Sequence, residues 1–192
     1  MSAGGVIKTI GFMPRRPDIS RAQFREYYET RHAPLAVPLF PFIRYRRNHL
    51  ADMEVEPGFD CISEFWVPSL NRIGELMAGE VGDTMRADER NFLDQPRIVA
   101  ALADPVATGS DAGSVMVLLR NEGGDVDALV AAAREAGAGL DLLSPMDARP
   151  LPCDAVWRCD GAAGLLPTGW HVATALPVEA RETEAQQLRA SD

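Results

Sequence analysis

With 192 residues and 46% hydrophobic content, the chain can bury one large core or two small ones. Its net charge of −9 argues against nucleic acid, whose phosphates are held by clustered Lys and Arg. No apolar run reaches the length of a membrane span, and the opening MSAGGVIKTI lacks the basic start and long apolar middle of a signal peptide. Three scattered cysteines, Cys61, Cys153 and Cys159, suit neither a disulfide framework nor a zinc site. A reducing, cytoplasmic setting is expected, with no membrane partner and with Cys61 a small buried residue inside a strand.

The first predicted element is a strand in VIKTIGFMPR, followed by FREYYETRHAPL, residues 24–35. This second stretch reads as one amphipathic helix ending in a histidine. Phe24, Tyr28 and His32 recur every four residues and so share a face, with Tyr27 and Arg31 beside them. Pro34 is expected to stop the helix, because a proline pushes its predecessor out of helical geometry. FIRYRRNHL and FDCISEFWV then read as strands, SLNRIGELMAGEVGDTMRADERNFL as helical, and RIVAALADPVA as a strand. The order β-α-β-β-α-β is the split ferredoxin-like pattern.

Taken together, FREYYETRHAPLA, the strand ending NHL, DCISEFWV and ADERNFLD resemble the EthD-like family of dimeric α+β-barrel proteins. The resemblance covers roughly residues 5–108. It implies an α+β, ferredoxin-like fold and a homodimer whose sheets pack face to face. It also maps the family's helix histidine onto His32 and its strand histidine onto His49.

A boundary is expected near TGSDAGS, residues 108–114, giving domains 1–108 and 113–192. Beyond it SVMVLLR, GLDLLSPM, DAVWRCD and WHVATALP read as strands, and DVDALVAAAREAG as a helix capped by Asp125 and stopped at Gly137. That β-α-β-β-β path is a degenerate copy of the first half, with GAAGLLPTG where a second helix would stand. It would supply a facing sheet within one chain or leave homodimerisation, slightly favoured, intact. The tail VEARETEAQQLRASD is expected to form a short exposed helix or to fray.

For chemistry, His32 and His49 are the first candidates, since imidazole exchanges protons near neutral pH. Tyr28, one turn before His32, either hydrogen-bonds a substrate oxygen or packs in the core. Glu64, alternating with Ile62 and Trp66, is either a general acid with a raised pKa or the partner of Arg44 or Arg31 in a salt bridge. Phe24, Tyr27, Asn48, Trp66 and Arg44 are the expected substrate-binding residues. Arg44, Arg46 and Arg47, with Arg15 and Arg16, leave open an anionic substrate against a structural role. No nucleotide-binding glycine loop, nucleophile elbow or HExxH is present, so neither metal nor other cofactor is expected; haem ligation by His32 or His49 has no local support. The favoured activity is cofactor-independent proton transfer at an acidic C–H of a hydrophobic, aromatic or polyketide-like molecule. Dehydration, decarboxylation, retro-aldol cleavage, isomerisation or cyclisation would follow. The alternatives are a cofactor-free monooxygenase or accessory protein of aromatic or ether catabolism, and a non-catalytic small-molecule binder.

Overall fold

The computed structural model describes residues 5–53, 56–109, 113–184 and 187–188. Its elements run β1 (Ile7–Met13), α1 (Arg21–Tyr27), α2 (Ala33–Ala36), β2 (Arg44–Leu50), β3 (Cys61–Val67), α3 (Leu70–Ala78) and α4 (Glu80–Glu89). They continue β4 (Val99–Ala107), β5 (Val115–Asn121), α5 (Val126–Glu135), β6 (Gly139–Pro145), β7 (Ala155–Cys159) and β8 (Trp170–Glu182). Among the described residues no helix is long and apolar enough to cross a membrane.

The chain divides into two compact units that are not its two halves. One comprises Met1–His49, Gly58–Val99 and Arg181–Asp192; the other comprises Leu50–Pro57 and Ala100–Ala180. Part of the expected boundary, residues 110–112, lies outside the described residues.

In the first unit β3 pairs antiparallel with both β1 and β2. The register sets Tyr45 against Phe65, Arg47 against Ser63 and His49 against Cys61. Strand alternation sends these six to the face that carries the helices, and Arg44, Arg46, Asn48, Ile62, Glu64 and Trp66 to the other. A core of Phe24, Tyr28, Val37, Tyr45, Cys61, Phe92 and Leu93 joins helices to sheet.

The first helix is not the single segment expected. Ser20 caps it with a reciprocal box: its Oγ accepts from Gln23 N at 3.2 Å, and Gln23 Oε1 accepts from Ser20 N at 2.8 Å. After α1 the backbone widens into a π turn over Tyr28–His32, in which Ala33 N–H donates to Tyr28 O. Helical structure then continues through α2 and a 3₁₀ turn at Val37–Leu39. Pro34 therefore does not end the helix. A proline has no N–H to give and crowds the carbonyl one turn back, and a wide turn accommodates both faults without stopping the chain.

In the second unit the strand order is β8-β5-β7-β6-β4, all neighbours antiparallel. The expected β-α-β-β-β path is present. Asp125 caps α5 by accepting from Asp127 N and Ala128 N, and Gly137, at φ 63°, follows its end. Leu129 and Ala133 of α5 join Val117, Leu119, Leu140 and Trp157 in that unit's core. The tail meets its expectation in part: residues 178–182 extend β8, while Gln187 and Leu188 are helical, their backbone N–H groups donating to Glu184 O. Residues 185–186 and 189–192 of that tail lie outside the described residues.

Candidate active site

The nine residues singled out in the sequence do not share one cleft. Phe24, Tyr27, Tyr28, His32 and His49 gather on the helix side of the first unit's sheet. Arg44, Asn48, Glu64 and Trp66 lie on its opposite face.

On the helix side Tyr28 is the hub. Its ring stands 4.9 Å from that of His32 and 5.6 Å from that of His49, both edge-on. Phe24 and Phe92 close the aromatic box, with Phe92 4.9 Å from His32. The Tyr28 hydroxyl is bonded to Ser63 Oγ at 2.8 Å and accepts from Tyr45 O–H at 3.1 Å. Phe24 and Tyr28 are fully buried, so they form the floor rather than a surface that a ligand touches. Burial also pushes the Tyr28 phenol well above its usual range.

Each histidine has its own carboxylate. His32 Nδ1 lies 2.7 Å from Asp88 Oδ2, and Tyr27 O–H donates to the other oxygen at 2.8 Å. Burial would raise the Asp88 pKa, but the His32 and Tyr27 hydrogen bonds outweigh it and hold the carboxyl below its ordinary value. His49 Nε2 lies 2.6 Å from Glu29 Oε1. Arg47 grips the same carboxylate twice, Nε to Oε1 at 2.9 Å and an Nη to Oε2 at 2.8 Å. Burial disfavours the charged His49 ring, yet Cys61 and Glu29 outweigh it and raise the pKa to about 9. Glu29 is likewise opposed by burial but held by His49 and Arg47 at about 2. At neutral pH this is an imidazolium–carboxylate–guanidinium cluster. The buried His49 Nδ1 has no hydrogen-bond partner among the described residues.

A cavity of about 310 Å³ opens beside this cluster, lined by Glu29, Arg47, Ala33, Pro34, Val37 and Thr183, with Glu182 and Gln187 at its C-terminal side. That volume suits a small organic ligand. His49 Nε2 is already engaged by Glu29 and His32 Nδ1 by Asp88, so these nitrogens are not presented as haem ligands. Among the described residues no three His, Cys, Asp or Glu side chains are placed to hold a metal ion.

On the other face Glu64 pairs with Lys8, Nζ to Oε1 at 2.8 Å, and accepts from Asn48 Nδ2 at 2.9 Å. Lys8, on β1 beside β3, is thus a cation for Glu64 that the sequence reading, with Arg44 or Arg31, did not name. Trp66 lies between two cations, Lys8 at 4.7 Å and Arg44 at 4.6 Å from its ring. The basic cluster is matched by acids: Arg44 and Arg46 bind Glu182, Arg47 binds Glu29, Arg15 binds Asp60 and Arg16 binds Asp18. This favours the structural reading of those arginines over an anion site. His171 is half exposed in the second unit, 3.8 Å from Glu122.

Sequence reading missed Asp88, Glu29 and Thr183. Each meets its partner across elements distant in the chain, Asp88 with His32, Glu29 with His49 and Thr183 with Arg47, so local spacing carried no signal for them.

The fold and this arrangement of histidines define an α+β protein of the ferredoxin-like barrel class. Residues 16–96 match the EthD domain family, a stretch that holds the whole histidine site on the helix side except the C-terminal wall. A proposed monooxygenase from Lactobacillus acidophilus NCFM aligns over 91% of this chain and 93% of its own, with TM-score 0.51 and 13% identity. A mutant chlorite dismutase from Candidatus Nitrospira defluvii aligns over 100% of this chain and 96% of its own, with TM-score 0.52 and 9% identity. Those likenesses show the fold. An EthD family protein from Bacillus halodurans C-125 aligns over 52% of this chain and 98% of its own, with TM-score 0.42 and 17% identity. No curated protein matches the sequence.

Proposed function

We propose that the chain is a cofactor-independent enzyme that moves a proton at an acidic C–H of a hydrophobic, aromatic or polyketide-like small molecule. The observation that carries this reading is the pair of imidazoles flanking Tyr28, each held by its own carboxylate, beside a cavity of small-molecule size. The two have different partners. His49 is held charged by Glu29 and suits donation or charge stabilisation. His32, oriented through Nδ1 by Asp88 and adjoining the cavity-lining Ala33 and Pro34, is assigned the general base. Dehydration, isomerisation and aldol-type cyclisation begin with such a proton abstraction, whereas decarboxylation and retro-aldol cleavage end with its reverse, protonation of the enolate carbon left by C–C cleavage.

The elementary step can be followed without identifying the final product. Deuterium exchange at the α-carbon of a panel of aryl ketones and short β-polyketones, followed by NMR, reports it. The wild type should accelerate exchange, and His32→Ala should lower that acceleration about 100-fold or more, with His49→Ala lowering it less. Exchange within a few-fold of wild type in both His32→Ala and His32→Gln would show the imidazole to be structural. Oxygen consumption without exchange would favour a monooxygenase instead.

A further inference from the structure

We propose that Thr183 donates a hydrogen bond to a carbonyl oxygen of the substrate, and that the C-terminal segment thereby selects neutral carbonyl compounds. The proposal rests on the cavity being the substrate site and adds the residue that fixes the ligand's orientation.

Thr183 lies far outside the EthD-matching residues, yet it forms part of the cavity wall. Two bonds fix it there. Its backbone N–H donates to Tyr45 O at 3.1 Å, and its Oγ1 accepts from an Arg47 Nη at 2.7 Å. A hydroxyl has one proton of its own to give, and that of Thr183 has no acceptor among the described residues. A hydroxyl that accepts from a guanidinium is polarised into a better donor. The side chain is nearly buried, at 9% exposure, so water competes weakly for that proton.

The charge of the wall decides what kind of oxygen comes to it. Arg47 is the cation nearest Thr183, and Glu29 already engages it through two bonds. No unmatched positive charge remains among the described lining residues to hold a carboxylate, and Glu29 repels one. Ala33, Pro34 and Val37 supply an apolar surface for a ring. A neutral aryl ketone meets all three conditions: an acceptor oxygen, no charge, and a flat apolar body.

Prodan, a naphthyl ketone whose emission shifts to the red when its carbonyl is hydrogen-bonded, is a direct probe. The wild type should bind it with red-shifted emission relative to the dye in an apolar solvent. Thr183→Val should weaken binding about tenfold and move the bound emission to the blue, while Thr183→Ser restores both. Absence of binding to the wild type, or unchanged affinity and emission in Thr183→Val, overturns the proposal. Should the valine variant fail to fold, the unmodified protein still decides. A methyl naphthyl ketone must bind about tenfold more tightly than the isopropenyl naphthalene of the same shape, and equal affinity overturns the assignment. Binding is read without any proton transfer, so failure of the catalytic reading and failure of this one are separately visible.

Discussion

Glu29 Oε1 lies 2.6 Å from His49 Nε2, although the two residues belong to a π turn and to the strand beneath it. His32 closes the same turn and looks instead to Asp88. One helical turn therefore supports both imidazoles, donating a carboxylate to one and carrying the other.

That pairing makes stability depend on pH in a defined window. His49 is raised from 6.5 to about 9, so its contribution is complete below about pH 6.5 and is lost as pH rises through about 9. Glu29 is lowered from 4.5 to about 2, so its contribution is present above about pH 4.5 and is lost as pH falls towards 2. Maximal stabilisation by the pair falls between the two ordinary values. Urea denaturation across pH 4 to 10 should show an alkaline decline on the order of 1–3 kcal/mol that Glu29→Gln diminishes, Cys61 supplying the rest of the upward shift. An identical alkaline limb in Glu29→Gln would sink this account.

Tyr28→Phe separates floor from chemistry. The lost hydroxyl leaves Tyr45 O–H without its buried acceptor and Ser63 Oγ with only Cys61 Sγ, at 3.5 Å, at a cost of about 1–3 kcal/mol in thermal or chemical denaturation. Exchange activity should stay within a few-fold of wild type. A loss matching that of His32→Ala, in a protein still folded, would return Tyr28 to the reacting groups.

Glu64 gives the opposite control on the far face of the sheet. Glu64→Leu removes the carboxylate facing Lys8 and should destabilise the fold by about 3–5 kcal/mol. Activity per folded molecule should hardly change. An activity loss of 100-fold with stability intact would place Glu64 in the chemistry after all.

Asp88→Asn should keep His32 in place but alter which ring nitrogen carries the proton. A fall of about tenfold or more in exchange rate is expected, short of that for His32→Ala. A pH–rate profile unchanged from wild type would show that Asp88 neither orients nor tunes the ring.

Element order was readable because it rests on local pattern. The alternation in FDCISEFWV lands on β3 at Cys61–Val67, and the Asp125 cap opens α5 at Val126. The spacing Phe24–Tyr28–His32 does bring three rings into successive edge-to-face contact. What stayed hidden depends on non-local neighbours. Which face of β3 meets the helices follows from packing, so Glu64 and Trp66 could not be told apart from Ser63 and Phe65 as site residues. The partners of the histidines come from a following helix and from within the π turn, and no period in the sequence marks a π turn. The C-terminal wall was invisible because VEARETEAQQLRASD is charged throughout, a composition that reads as solvated even where Thr183 is bound to Arg47.

The π turn also absorbs one residue of length. Ala33 N–H reaches back five residues to Tyr28 O, so this loop makes about one revolution with one residue more than an α turn uses. Deleting Thr30 or Arg31 would close it to α geometry and leave the aromatics of α1 and the segment after His32 nearly in phase, whereas a deletion within α1 would swing its face by about 100°. The segment thus behaves as a slip joint between two rigid pieces. A scan of single deletions through Phe24–Leu35 should accordingly be mildest at Thr30 and Arg31, and harsher at Glu29, whose carboxylate holds His49.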